Sequence, residues 1–333
     1  MTETGSVRVA VDAMGGDGGL VTTTAGVHLA LLADTSLEVL MVGPENSSAE
    51  LEKLPTAIRQ RIELVVAKSV LPADANPAHA LRHGRGSSLY ASLELIQCNQ
   101  ADAVVSAGST AALMVLSRQL LGMLPGIERP ALMAAIPTVS RPVWMLDLGA
   151  NMNVDARRLL EFAQLGDGAF RVLENRPPRI GLLNIGSEPG KGPDVIREAA
   201  RLIDAEKNLD YAGFVEADQV FAAQVDLVVC DGFAGNVLLK GAEGAIRLMF
   251  SAMKARFEGS LSGWMAGPRL RSLHDMLEPA RHNGAPMLGV RGTVIKSHGG
   301  ACPRGFAHAV ALAATQVRGG LIGQLERQIW ASY

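Results

Sequence analysis

Short apolar runs alternate along the chain with longer stretches in which apolar residues recur every three or four positions. The runs are Val7–Val11, Leu37–Val42, Ile62–Val66, Ala103–Ser106, Leu132–Ile136, Val143–Leu146, Ile180–Leu183, Tyr211–Val215, Leu227–Cys230 and Thr293–Lys296. They are bounded by Gly, Pro, Asp and Asn, which marks them as strands buried on both faces. The helical period predicts helices over Leu20–Ala33, Ala78–Ile96, Ala111–Leu121, Asp155–Leu173, Asp194–Ala205 and Phe306–Gln328, with another starting directly after Cys230. Such alternation predicts an α/β fold: a mostly parallel sheet with helices on both faces. No repeat or linker divides residues 1–333, so they are read as one domain, although two halves meeting within 140–180 also fit.

Composition narrows the class. The chain has 333 residues, is 48% hydrophobic and only 4% aromatic, so Ala, Val, Leu, Ile and Met build a core large enough for this fold. A formal charge of −2 argues against a nucleic-acid partner. Cys98, Cys230 and Cys302 lack disulfide or metal spacing, which points to a reduced, cytoplasmic setting. No signal-peptide pattern opens the sequence, and no apolar run is long enough for a membrane span.

Polar residues and glycines gather where the strands end. The sets are Asp12, Gly15, Gly16 and Asp17; Gly108, Ser109 and Thr110; Asp147 and Asn151; Gly186, Lys191 and Gly192; Asp231, Gly232 and Asn236; Lys296 and His298. Each alone is ordinary turn and cap chemistry. In a parallel sheet all would share one end and form a cleft there. The stretch IGLLNIGSEPGKG (180–192) joins strand, glycine turn, lysine and helix start, the local pattern of an oxyanion site. GxGxxG, GxxxxGK[ST], GxSxG and HExxH are all absent. Carboxylate spacing demands no metal, and Cys230 ends an apolar strand as a core thiol would. The remaining groups suit binding phosphate and stabilising a tetrahedral oxyanion in acyl transfer.

The strings VDAMGGD (11–17), ADAVVSAG (101–108), LPGIERPAL (124–132), LDLGAN (146–151), LLNIG (182–186), KG (191–192), VVCDGFAGNVLLK (228–240), GAPMLGV (284–290) and VIKSHG (294–299) cover nearly the whole chain. Together they resemble the bacterial phosphate acyltransferase family, PlsX. The resemblance implies attack of inorganic phosphate on a long-chain acyl-(acyl carrier protein), reversibly giving acyl phosphate and free carrier protein early in phospholipid synthesis. It also implies a fold like that of phosphotransacetylases and isocitrate/isopropylmalate dehydrogenases, and a homodimer. Cytoplasmic protein peripherally associated with the membrane is expected, handing its product to a glycerol-3-phosphate acyltransferase. No cofactor and no metal is expected.

On this basis Lys191, Asn236 and His298 are the candidate catalytic residues, and the other strand-end residues named above are candidates for substrate and phosphate binding. Lys191 would hold phosphate or the oxyanion, with Asn236 and Thr110 donating to the same oxygens. His298 is a candidate to orient phosphate or protonate the leaving thiolate; a structural role fits it as well. The family has Asn where this chain has Ser109, an acid at Ser187, and GNVEG where this chain has GFVEA (213–217). A phosphotransacylase using acyl-CoA is the alternative. A metal- and NAD-dependent hydroxyacid dehydrogenase and a non-catalytic scaffold are more distant.

Residues 244–282 read as a projecting amphipathic hairpin. Arg247, Lys254, Arg256, Arg269 and Arg271 face one acid, Glu258, and Leu261, Trp264 and Met265 lie at a glycine-rich tip. Anionic membrane, the carrier protein or a second subunit would suit such a surface.

Overall fold

The computed structural model describes residues 6–138, 140–257 and 283–331. The described residues form one sheet of eleven strands. In chain order the elements are β1 (Val7–Asp12), α1 (Gly19–Ala33), β2 (Leu37–Gly43), β3 (Ile62–Val66), α2 (Pro77–His83), α3 (Ser88–Gln97), β4 (Ala103–Ser106) and α4 (Thr110–Leu121). Next come β5 (Ala131–Ile136), β6 (Val143–Leu146), α5 (Ala156–Glu174), β7 (Arg179–Leu183), α6 (Asp194–Ala205), β8 (Asp210–Val215) and β9 (Leu227–Val229). The chain closes with α7 (Gly232–Phe257), β10 (Ala285–Leu288), β11 (Thr293–Lys296), α8 (Pro303–Arg318) and α9 (Leu321–Ala331).

Side chains alternate across each strand, so the sheet feeds two cores. Val9, Val11, Leu146 and Leu182 pack with α1, α5 and α8 on one face. Ala10, Val104, Met145 and Val228 pack with α3 and α4 on the other. The expected α/β architecture with helices on both faces is what the chain adopts.

Three features depart from the sequence reading. The helix expected over Ala78–Ile96 is two, α2 and α3. Gly84-Arg85-Gly86 separates them, with Gly86 at φ +83° where a side chain is strained. Likewise Gly319-Gly320, with Gly320 at φ +63°, divides the closing helix into α8 and α9. The strand β10 was not expected, because Pro286 interrupts its short apolar run.

That extra strand changes the topology. β10 pairs antiparallel with both β11 and β5, and β5 pairs antiparallel with β6. Three reversals separate two parallel blocks, β3-β2-β1-β4-β11 and β6-β9-β7-β8, which therefore run in opposite directions. The expectation that every strand-end cluster shares one end is corrected. The clusters belong to two opposed sets, and some members of both meet over β10 and β5, the strands between the blocks.

Candidate active site

Asp12, Ser106 and Lys296 end three adjacent parallel strands in matched register. Matched register puts their side chains on one face. Ser106 Oγ donates to Asp12 Oδ2 at 2.7 Å and accepts from the Gly108 N–H at 3.0 Å. Asp12 is buried, and burial raises its pKa against the opposing hydrogen bonds. Burial acts on Lys296 with the opposite sign and pushes the ammonium down to about 8, while Asp12 and Asp17 oppose the shift. Lys296 Nζ donates to the Ala107 carbonyl at 3.3 Å and to the Ser297 carbonyl.

Two residues on, the Gly300 N–H donates to His298 Nδ1 at 3.1 Å. That bond makes Nδ1 the acceptor, so the neutral ring carries its proton on Nε2. Burial, then Lys240, lowers the His298 pKa, which favours the neutral imidazole. Lys240 Nζ lies 3.5 Å from His298 Nε2 and pairs with Glu243 at 3.0 Å. The buried Asn283 holds the segment from behind. Its Oδ1 accepts from the His298 N–H, and its Nδ2 donates to Ser297 Oγ and the Gly305 carbonyl, each at 2.8 Å.

The opposing block contributes Gly149 and Asn236. Gly149 (φ +107°) follows β6, and a Cβ there would lie 3.6 Å from the Asn236 side chain. The first turn of α7 sits tightly on the end of β6, since a Cβ on Gly235 would lie 2.1 Å from the Asp147 carbonyl oxygen. Asp231 Oδ1 caps this turn, accepting from the N–H groups of Phe233 and Ala234 at 2.8 and 2.9 Å.

Thr110, Gly149, Asn236, Lys240, Glu243, Lys296 and His298 line one cavity of about 420 Å³. Its other walls are apolar, from Leu132, Ala134, Ile136, Leu148, Leu239 and Ile246 among others. Two lysines, the His298 Nε2–H, a hydroxyl at a helix start and an amide face the same cavity as the Glu243 carboxylate. They suit an oxyanion of phosphate size. Among the described residues no group of His, Cys, Asp and Glu is arranged to hold a metal.

The remaining candidates are placed elsewhere. Asp12, Gly15, Gly16, Gly108 and Ser109 line a separate small hollow of about 40 Å³. Ser109 Oγ donates to the Ala75 carbonyl at 2.8 Å and accepts from the Ala112 N–H as the cap of α4. Gly15 packs against the 106–110 turn, where a Cβ would lie 2.6 Å from the Gly108 nitrogen. Asp17 meets the 299–300 backbone, its N–H donating to the Gly299 carbonyl at 2.8 Å.

Asp147 and Asn151 are buried and bound to each other: Asp147 accepts from the N–H groups of Leu132 and Asn151 at 2.9 and 2.6 Å. Burial raises the Asp147 pKa against these bonds. The Gly232 N–H donates to the Asn151 carbonyl at 2.7 Å. Lys191 is exposed on its turn; it lies outside the cavity lining, as do the buried Gly186 and the half-buried Gly192. Asn184 clasps that turn, donating to the Lys191 carbonyl at 3.2 Å.

Arg247, Lys254 and Arg256 are exposed along α7. Leu261, Trp264, Met265, Arg269 and Arg271 lie outside the described residues. Sequence reasoning missed Lys240, Glu243 and Asn283. Lys240 had a readable signal, one helical turn after Asn236 on the same helix. Asn283 did not, because its role is set by a strand the pattern concealed.

Comparison with known proteins gives a consistent picture. A family model described as fatty acid synthesis protein matches residues 7–323. A phosphate acyltransferase of Legionella pneumophila (strain Paris) is 40% identical over 330 residues, covering 97% of this chain and 96% of the relative. One from Pseudomonas putida (strain ATCC 700007 / DSM 6899 / JCM 31910 / BCRC 17059 / LMG 24140 / F1) is 42% identical over 326 residues, covering 96% and 97%. A crystal structure of a phosphotransacetylase from Streptococcus pyogenes shares the fold, with a TM-score of 0.64 at 19% identity and 94% of each chain covered.

Proposed function

The chain belongs to the fatty acid synthesis protein family of phosphate acyltransferases, and from that premise we propose that its donor is a long-chain acyl-(acyl carrier protein). The observation that carries the reading is that one cavity is lined both by the donors Lys240, Lys296 and His298 and by a larger number of apolar side chains. A phosphate nucleophile needs the first, and an acyl donor needs the second.

In the proposed reaction Lys240 and the His298 Nε2–H hold inorganic phosphate beside the thioester carbon. A phosphate oxygen attacks that carbon, and the carbonyl electron pair moves onto oxygen. Asn236 and Thr110 donate to this oxyanion as it forms. Its collapse breaks the C–S bond, giving acyl phosphate and a thiolate. Model thiols have a pKa of about 8.5, close to the value of about 8 for Lys296. Lys296 is thus matched to protonate the thiolate, whereas the neutral His298 is a hydrogen-bond donor. The reverse direction uses the same groups. Lys191 stands as an outlying cation for phosphate or oxyanion, its role to be read by substitution.

We extend the proposal to partners. The carrier protein and anionic lipid would meet the exposed cations Arg247, Lys254 and Arg256, and the exposed Phe233, Val237 and Leu248 on α7 suit a homodimer or lipid contact. No helix among the described residues is long and apolar enough to cross a membrane, so membrane contact would be peripheral, beside a glycerol-3-phosphate acyltransferase that takes the product. The donor assignment is tested by comparing acyl-(acyl carrier protein) with acyl-CoA at equal chain length. A kcat/KM at least tenfold higher for the carrier-protein donor supports it, and a preference for acyl-CoA sinks it.

A further inference from the structure

The wall of the cavity that takes no part in the chemistry has its own order. Ala285 pairs with Lys296 across the β10–β11 ladder, and Met287 pairs with Leu132 across β10–β5. Continuing that register two residues brings Ala285 alongside Ala134, so Lys296, Ala285 and Ala134 follow one another on one face of three adjacent strands. These are interior strands of an eleven-stranded sheet, where large apolar side chains are the rule. Leu132 and Ile136 obey it, at 4% and 1% exposure. Ala134 lies between them on the same face and is half-buried, as is Ala285. The sheet therefore has a trough that starts at Lys296 and crosses two strands.

The helix above the trough is divided in the same way. On α7, Asn236, Lys240 and Glu243 recur at helical spacing as a polar track. Leu239, Ala242 and Ile246 form a second, apolar track beside it on the same cavity-facing side. The polar track reaches His298 through Lys240. The apolar track continues for roughly two turns past Leu239, at about 5.4 Å each. Floor and roof thus each carry an apolar strip beside the polar groups. The half-exposed Phe221 and Pro137 line the cavity as well.

We infer that this trough is the channel for the donor's unbranched aliphatic chain, and that Ala134 and Ala242, facing it from floor and roof, set the chain length accepted. The inference rests on the proposed acyl-transfer reading of the cavity. A long chain lies between the two alanines, and a larger side chain at either position fills the space it needs. The channel differs from the carrier-protein surface, because it reads the acyl group and not the protein that brings it.

The test measures kcat/KM with inorganic phosphate for hexadecanoyl and octanoyl donors on the same carrier protein. Ala134→Phe is expected to lower the hexadecanoyl-to-octanoyl ratio at least tenfold, and Ala242→Leu at least fivefold. Ala242 sits on a helix surface over open space, so its variant decides the matter if Ala134→Phe does not fold. Ratios within twofold of wild type in folded variants overturn the channel while leaving the acyl-transfer reading intact. A wild-type protein that forms acyl phosphate from neither donor overturns that reading, and the channel with it.

Discussion

Lys240 Nζ and His298 Nε2 lie 3.5 Å apart, although the Gly300 N–H on Nδ1 leaves Nε2 as a donor. Two donors at this distance repel unless an acceptor lies against both. Lys296 brings a third donor to the same cavity. Glu243 already accepts from Lys240, and an anion in the cavity would offer the His298 Nε2–H and Lys240 a shared acceptor.

The first prediction concerns that anion. Lys240→Ala should raise the KM for phosphate and lower kcat/KM by about 10- to 100-fold, since a hydrogen bond to a charged group contributes roughly 1.5–3 kcal/mol. The carrier-protein KM should change much less. Steady-state kinetics with each substrate varied in turn checks this, and equal effects on both would contradict the placement.

A second prediction follows from the lowered pKa of Lys296, about 8. If its ammonium delivers the proton to the thiolate, kcat/KM falls as pH rises through about 8. Lys296→Arg, which stays charged, should be slower and lack this limb. A pH–rate profile for both proteins decides it, and an unchanged limb in the variant removes Lys296 from the proton transfer.

The same shift has a thermodynamic sign. The folded pKa lies below the unfolded value of 10.5, so between pH 8 and 10.5 the unfolded chain binds more protons. Stability owed to this group rises with pH across that window. Thermal unfolding of wild type and Lys296→Met should differ less at pH 10 than at pH 7.

Asn283 offers a test of positioning. It holds His298, Ser297 and Gly305 together through bonds of 2.8 Å. Asn283→Ala should cost about 1–3 kcal/mol of stability, the usual penalty for leaving buried polar groups unpaired. It should also raise the phosphate KM more than the donor KM, which a purely structural role would not do.

Lys191 poses the sharpest question about the sequence reading. The 180–192 stretch has the grammar of an anion site, yet its lysine is exposed and the cavity is lined without it. A central role requires Lys191→Ala to lose at least tenfold in rate, or about 1.4 kcal/mol of barrier. A smaller loss in a folded variant removes it from the site.

That example shows what the sequence could carry. Strands such as Val7–Asp12 and Thr293–Lys296 were legible because β-branched runs between turn residues have few other uses. Cap and turn residues such as Asp231 and Ser109 were found as polar strand-end residues, but much of their hydrogen-bonding capacity goes to the backbone. Local pattern does not say whether a carboxylate or hydroxyl faces a ligand or its own chain. Nor does it give strand direction. β10 was concealed by Pro286, and with it the reversals that separate the two blocks. A lysine on an amphipathic helix, such as Lys240, looks like a solvated charge until the opposite wall is known.

The most direct measurement is mass-spectrometric detection of acyl phosphate formed by purified protein from hexadecanoyl-(acyl carrier protein) and inorganic phosphate. The expected result is acyl phosphate formed one-for-one with freed carrier-protein thiol, dependent on phosphate and reduced at least tenfold in Lys296→Met. No acyl phosphate from wild type, or thiol released equally well without phosphate, would contradict the account.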